Sequence, residues 1–146
     1  PGHNLNYKKF SNKQIQSLVK LSKILIKKYK IKPKNILGHS DIAPERKKDP
    51  GEKFPWKKLA DKNLCHWHYL SENETRKIRY LKVNNHEEKK FLNNLYKIGY
   101  SKKDNTKLKR YKTNLIVAFQ RRYRQGLING KIDQECLMIS KNLAKL

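Results

Sequence analysis

The sequence predicts an α/β (α+β) unit over residues 1–63, then a connection at 64–85, then a small all-α three-helix bundle at 86–146. Three observations point there. A capped amphipathic helix feeds a short apolar strand, which is the αβ half of an α/β layer. A long loop holding three of the five prolines follows, and loops of that length in compact domains are mostly functional. The remainder ends in three short segments, each with one apolar face.

The elements follow in order. Ser11 with Gln14 three residues on forms a capping box, in which each side chain satisfies an orphaned backbone N–H of the other residue. It opens a helix predicted over 11–31, with Ile15, Leu18, Val19, Leu25, Ile26 and Tyr29 on one buried face. Lys27, Lys28 and Lys30 suit the negative end of its dipole, and Pro33 stops it. Asn35-Ile36-Leu37-Gly38-His39 reads as the strand, Ser40 to Pro55 as the loop, and Trp56 to Ala60 as a helical turn. The aromatic run Cys65-His66-Trp67-His68-Tyr69 and the charged, aperiodic stretch Glu72 to Asn85 form the connection and a domain boundary. Helices are predicted over Glu87–Ile98, closed by Gly99, and Tyr111–Gln125, closed by Gly126. A last helix, capped by Asp133, bears Cys136, Ile139 and Leu143.

A chain of 146 residues allows one domain or two small ones at roughly 100–200 residues each. Its 8 Tyr, 4 Phe and 2 Trp exclude a merely disordered tail. No apolar run approaches the ~18 residues of a membrane span. The net charge is +24, spread evenly: 17 basic against 5 acidic residues in 1–63, 19 against 7 in 64–146. An even field favours anionic partners in general. It is not a basic stripe on one element, and no nucleic-acid docking motif is present, so nucleic acid is not an expected partner. Arg121, Arg122 and Arg124 read as the solvated face of a helix that packs through Tyr123. Cys65 and Cys136 fit two reduced, partly buried thiols, with one bridge between them as the alternative. The start, Pro1-Gly2-His3-Asn4, has neither an initiator Met nor a signal-peptide pattern and reads as the downstream part of a longer chain or a processed fragment.

The chemistry concentrates in the loop. His39 closes the strand, and Asp49 lies ten residues later in a Pro-bounded segment. That spacing lets the loop fold back and bring an imidazole and a carboxylate to one ion, a donor pair suited to Zn²⁺. Lys47 is two residues before Asp49, the spacing that puts side chains on one side of an extended segment. Its ammonium would face the reacting water or a developing oxyanion. His66 and His68 read as rim residues, His86 as part of a helix start, and Glu45 as a solvent or substrate-rim residue.

The block GHSDIAPERKKDPGEKFPW resembles the C-terminal active-site segment of the zinc-dependent N-acetylmuramoyl-L-alanine amidases of type 2, the AmpD/AmiD-like family. In that family's motif the His after Gly is a zinc ligand, which matches His39. The Asp of the Lys-x-Asp-Pro-Gly segment is another, which matches Asp49. The Lys of that segment stabilises the transition state, which matches Lys47, and Phe54-Pro55-Trp56 matches the Phe-Pro-Trp that follows. Related peptidoglycan-recognition proteins commonly have Cys at the Asp49 position, so Asp here points to the bacterial amidases. Downstream, Phe119-Gln120, Gly126-Leu127 and Asn129-Gly130 with Ile132-Asp133 resemble a helical peptidoglycan-binding module, with Asn129 where Asp is usual and Cys136 where Thr is common.

The resemblance implies zinc-dependent hydrolysis of the amide between N-acetylmuramic acid and L-Ala of peptidoglycan or muropeptides. The family's first zinc-ligand His and its catalytic Glu precede the segment that matches here, and His3 takes neither role. The chain is therefore expected to supply part of an active site, with the missing N-terminal fragment of the same amidase as its partner. The rival readings are a non-catalytic peptidoglycan-binding fragment and, more distantly, a basic nucleic-acid-binding protein. By the same resemblance the protein is expected in the bacterial cell envelope, periplasm or outer membrane, with the cytoplasm as the alternative.

Overall fold

A computed structural model describes residues 7–102 and 108–146. Helix α1 spans Asn12–Tyr29, with the predicted capping box formed. The Gln14 N–H donates to Ser11 Oγ at 3.2 Å and the Ser11 N–H to Gln14 Oε1 at 2.8 Å. A 3-10 turn at Pro33–Asn35 leads to α2, His39–Ile42, and then to α3, Trp56–Ala60. Helix α4 is Glu72–Lys77, α5 Asn85–Lys97, α6 Leu108–Tyr123 and α7 Gln134–Leu143.

The predicted strand at Asn35–His39 is not formed. Among the described residues there is no β-strand, and Lys82 and Asp133 make an isolated bridge. A strand must pair its backbone polar groups with a neighbouring strand, and here those groups find other partners. The Asn35 and Ile36 N–H groups donate back to Lys32 and Pro33 at 2.8 and 3.2 Å. The Ile36 carbonyl accepts from Arg122, and the Gly38 N–H donates to Asp41. The described chain is therefore helical, and the α/β description does not hold for it.

Two apolar clusters organise the packing. Phe54, Trp56, Leu59, Leu64 and Cys65 form one, against which Leu18, Val19 and Ile26 of α1 pack. Phe91 and Leu95 of α5, Leu115 and Phe119 of α6, and Cys136, Leu137 and Leu143 of α7 anchor the other. Trp67 touches both. Leu25 and Tyr29, expected inside, are exposed together with Leu21 and Ile24, and α1 contains no fully buried residue. Its apolar stripe is wider than the surface that the described residues lay against it.

The stretch 64–85 holds more structure than its aperiodic charges suggest. Helix α4 packs on α7, and Arg79 grips Glu135 through two hydrogen bonds of 2.6 and 2.8 Å. Asp133 caps α7 as predicted, accepting from the Cys136 N–H at 3.0 Å. Buried Gln120 organises the turn before it. Its Oε1 accepts from the Asn129 and Gly130 N–H groups at 3.0 and 2.9 Å, and Asn129 Oδ1 accepts from the Lys131 N–H. An Asn serves at position 129 because acceptor oxygens are what the turn uses.

Candidate active site

His39 sits at the first position of α2, a single turn of four residues. Gly38 precedes it, and a Cβ there would lie 2.7 Å from Pro50 Cδ and 3.1 Å from Trp56. Glycine lets the proline-bounded loop close directly over this point. The Ser40 N–H donates to the Asp49 carbonyl at 3.0 Å, which ties α2 to the returning limb of the loop. His39 Nδ1 and Asp49 Oδ2 are in direct contact.

The span between them is a pair of tight turns. The Ala43 carbonyl accepts from the Arg46 and Lys47 N–H groups at 3.0 and 2.9 Å, and the Gly51 N–H donates to Lys48 at 3.0 Å. Gly51 has φ +82° and its Cα faces the Tyr7 ring, where a Cβ would come within 2.8 Å; its positive φ is cheap only for glycine. Phe54 and Trp56 then anchor the loop in the core, with ring centroids 4.7 Å apart.

The loop thus brings His39 and Asp49 together at the surface. Their side chains are 69% and 56% exposed, which leaves lone pairs open to a ligand approaching from solvent. An imidazole nitrogen beside a carboxylate oxygen is a donor set that zinc accepts. Two donors are fewer than the three or four protein ligands of a zinc site, and among the described residues no three His, Cys, Asp or Glu side chains converge. Lys47 is exposed at the end of the turn. Glu45 is likewise exposed. His3 lies outside the described residues.

Two sequence readings need correction. His68 is not on a rim: it is 6% exposed, with Trp67 stacked on it at 5.1 Å. Burial pushes its imidazole below the ordinary range, and a hydrogen bond to the Tyr123 backbone opposes that in part. Nor do Arg122, in α6, and Arg124, just past its end, lie on a solvated face. Arg122 and Arg124 are 2% and 3% exposed. Arg124 pairs with Asp133 at 2.6 Å.

Arg122 pairs with Asp41 at 2.5 Å and donates a second bond to the Ile36 carbonyl at 3.0 Å. Asp41 also accepts from the Gly38 N–H at 2.8 Å and from the Tyr100 hydroxyl at 3.0 Å. Burial works against the Arg122 charge, and Tyr123, Asp41 and Tyr100 outweigh it, so the guanidinium holds its proton more firmly than usual. Burial, then the Asp41 carboxylate, push the Tyr100 hydroxyl well above its ordinary value. The sequence did contain a signal for this. Position 122 follows Leu115, Ala118 and Phe119 at helical spacing, so it falls on the apolar stripe of α6.

Residues 2–52 match the family model described as N-acetylmuramoyl-L-alanine amidase. Over 139 residues, 92% of this chain, the sequence is 34% identical to the N-acetylmuramoyl-L-alanine amidase AmiD of Escherichia coli strain K12, of which it covers 48%. A stretch of 50 residues is 47% identical to the 1,6-anhydro-N-acetylmuramyl-L-alanine amidase AmpD of Enterobacter cloacae, covering 34% of this chain and 27% of that protein. The fold matches E. coli AmiD in complex with the substrate anhydro-N-acetylmuramic acid-L-Ala-D-gamma-Glu-L-Lys, with TM-score 0.80 and 35% identity over 94% of this chain and 53% of that one. It matches AmpDH3 from Pseudomonas aeruginosa with TM-score 0.80 and 28% identity, over 96% of this chain and 55% of that one. The chain spans about half the length of these AmiD and AmpDH3 relatives. By sequence and by fold it is related to the AmpD/AmiD-like type 2 amidases.

Proposed function

We propose that this relative of the AmpD/AmiD-like amidases supplies part of the active site of a zinc-dependent N-acetylmuramoyl-L-alanine amidase, which hydrolyses the amide between N-acetylmuramic acid and L-Ala of peptidoglycan or muropeptides. The observation that supports this best is the contact of His39 with Asp49 across the loop. Both side chains would hold Zn²⁺, His39 through an imidazole nitrogen and Asp49 through a carboxylate oxygen. When bound, zinc polarises the scissile carbonyl and makes water acidic enough to react near neutral pH.

Lys47 brings an ammonium to the same loop, where it would oppose the negative charge that builds on the carbonyl oxygen in the transition state. A third ligand and the base that takes the proton from water would come from an N-terminal segment corresponding to the other half of the relatives. Such a base must sit within hydrogen-bond reach of that water. The helical part, 86–146, would form the three-helix peptidoglycan-binding-like module that faces the polymer in the cell envelope.

The test is a fusion of the N-terminal half of E. coli AmiD to this chain, assayed with zinc on the soluble anhydro-muropeptide bound in the AmiD complex. Release of the anhydro sugar from the peptide is expected, with loss of turnover in His39→Ala and Asp49→Ala. A folded, zinc-loaded fusion that binds the muropeptide without cleaving it would instead favour a non-catalytic wall-binding role.

A further inference from the structure

We infer that Arg122, through Asp41, is a positioning residue for the metal-binding side chain of His39, so that the helical part of the chain is a working component of the amidase site. This rests on the reading of His39 and Asp49 as zinc ligands. Helix α2 has four residues, and one turn cannot hold itself in water, because a helix nucleus costs more than its first hydrogen bond returns. Something else must fix the backbone that aims His39.

Arg122 does this from both sides. Its planar fork reaches the Ile36 carbonyl, three residues before His39, and the Asp41 carboxylate, two residues after it. Asp41 passes the restraint on, since its Oδ2 accepts the Gly38 N–H that opens the turn. Tyr100, from the loop after α5, fixes the other carboxylate oxygen. The guanidinium is itself locked over the Trp56 ring, 4.3 Å from its centroid, and Trp56 closes the motif loop. A lysine would reach one of these two points, not both, because its ammonium lacks the fork.

The experiment is a zinc titration of the 146-residue chain, read at the imidazole NMR signals of His39 and checked against His39→Ala. Outer-shell residues that orient a ligand typically change metal affinity about 10–100-fold when removed. Arg122→Met and Arg122→Lys are expected to weaken the His39 response to zinc at least about tenfold on that scale. Arg124→Met is the control: it breaks a comparably buried pair, Arg124 with Asp133, one residue past the end of α6 and with neither member in α2, and it should lower the melting temperature while leaving the His39 response unchanged. Should Arg122→Met fail to fold, Tyr100→Phe removes only the hydroxyl on Asp41 and should shift the response in the same direction by a smaller factor. No His39 response either in the wild-type chain or in the AmiD fusion, which supplies the third ligand, would overturn the zinc reading itself. A normal wild-type response that Arg122→Lys and Tyr100→Phe leave intact, or that Arg124→Met weakens as much, would overturn the positioning role.

Discussion

The Asp41–Arg122 pair joins the motif loop to α6 across 81 residues of chain, with side chains 5% and 2% exposed. Removing one member of so buried a pair leaves the other charge without compensation, which costs about 3–5 kcal/mol. Arg122→Met should fall toward the lower end. Asp41 would keep its hydrogen bonds from the Gly38 N–H and the Tyr100 hydroxyl, and a methionine side chain can still cover Trp56. Asp41→Asn should fall higher, because the buried guanidinium would remain charged with no carboxylate against it, facing the Ile36 carbonyl, an amide oxygen and the Trp56 and Tyr123 rings. In the double variant both charges are gone and neither penalty remains. Its loss should not exceed that of the worse single variant, giving a coupling at least equal to the smaller single loss, about 3 kcal/mol, whereas sites that do not interact add within about 0.3–0.5. Whole-domain stabilities run about 5–15 kcal/mol, so additive losses would leave the double variant near unfolding and coupled ones would not. Urea unfolding followed by tryptophan fluorescence and far-UV circular dichroism measures all four corners of the cycle. Additive losses would refute the claim that these residues act as one buried pair.

Three further outcomes are expected. In the AmiD fusion, Lys47→Ala should lower kcat and kcat/KM together, by about 10²–10³-fold as for a lost oxyanion donor, with zinc content unchanged; near-normal turnover in a zinc-replete variant would remove Lys47 from the mechanism. Burial pushes the Cys65 thiol up to about 11 and the Cys136 thiol up to about 12, from 9.0, so iodoacetamide at pH 8 should label both slowly until the protein is unfolded. These raised values favour the neutral thiols in the fold, so their contribution to stability is complete below pH 9 and is lost as pH rises toward 11 and 12; a melting temperature that rises over that window would contradict it. Gly38→Ala sets a methyl 2.7 Å from Pro50 and should cost about 1–3 kcal/mol as overpacking does, with the NMR signature of the His39–Asp49 contact disturbed; a neutral substitution would show that the loop yields there.

The sequence was legible wherever one short stretch decides the outcome. Ser11 and Gln14 cap α1, Asp133 caps α7, and the proline- and glycine-bounded loop brings His39 to Asp49. Each is a local pattern that specifies its own geometry. It was not legible where the deciding partner is distant. Asn35–His39 has the composition of a strand, but strand formation requires a neighbour, and in the described chain Arg122 of α6 takes the Ile36 carbonyl instead. Arg122 of α6 was misread for the same reason. A charged residue is ordinarily outside, and only a carboxylate brought from elsewhere in the chain makes its burial tolerable. Asp41 is that carboxylate, and it stands inside the motif, two residues from His39. The motif could be read without it, because motif reading assigns the residues that touch the chemistry. The residue that orients the motif is found by asking which buried charge has its counterpart there.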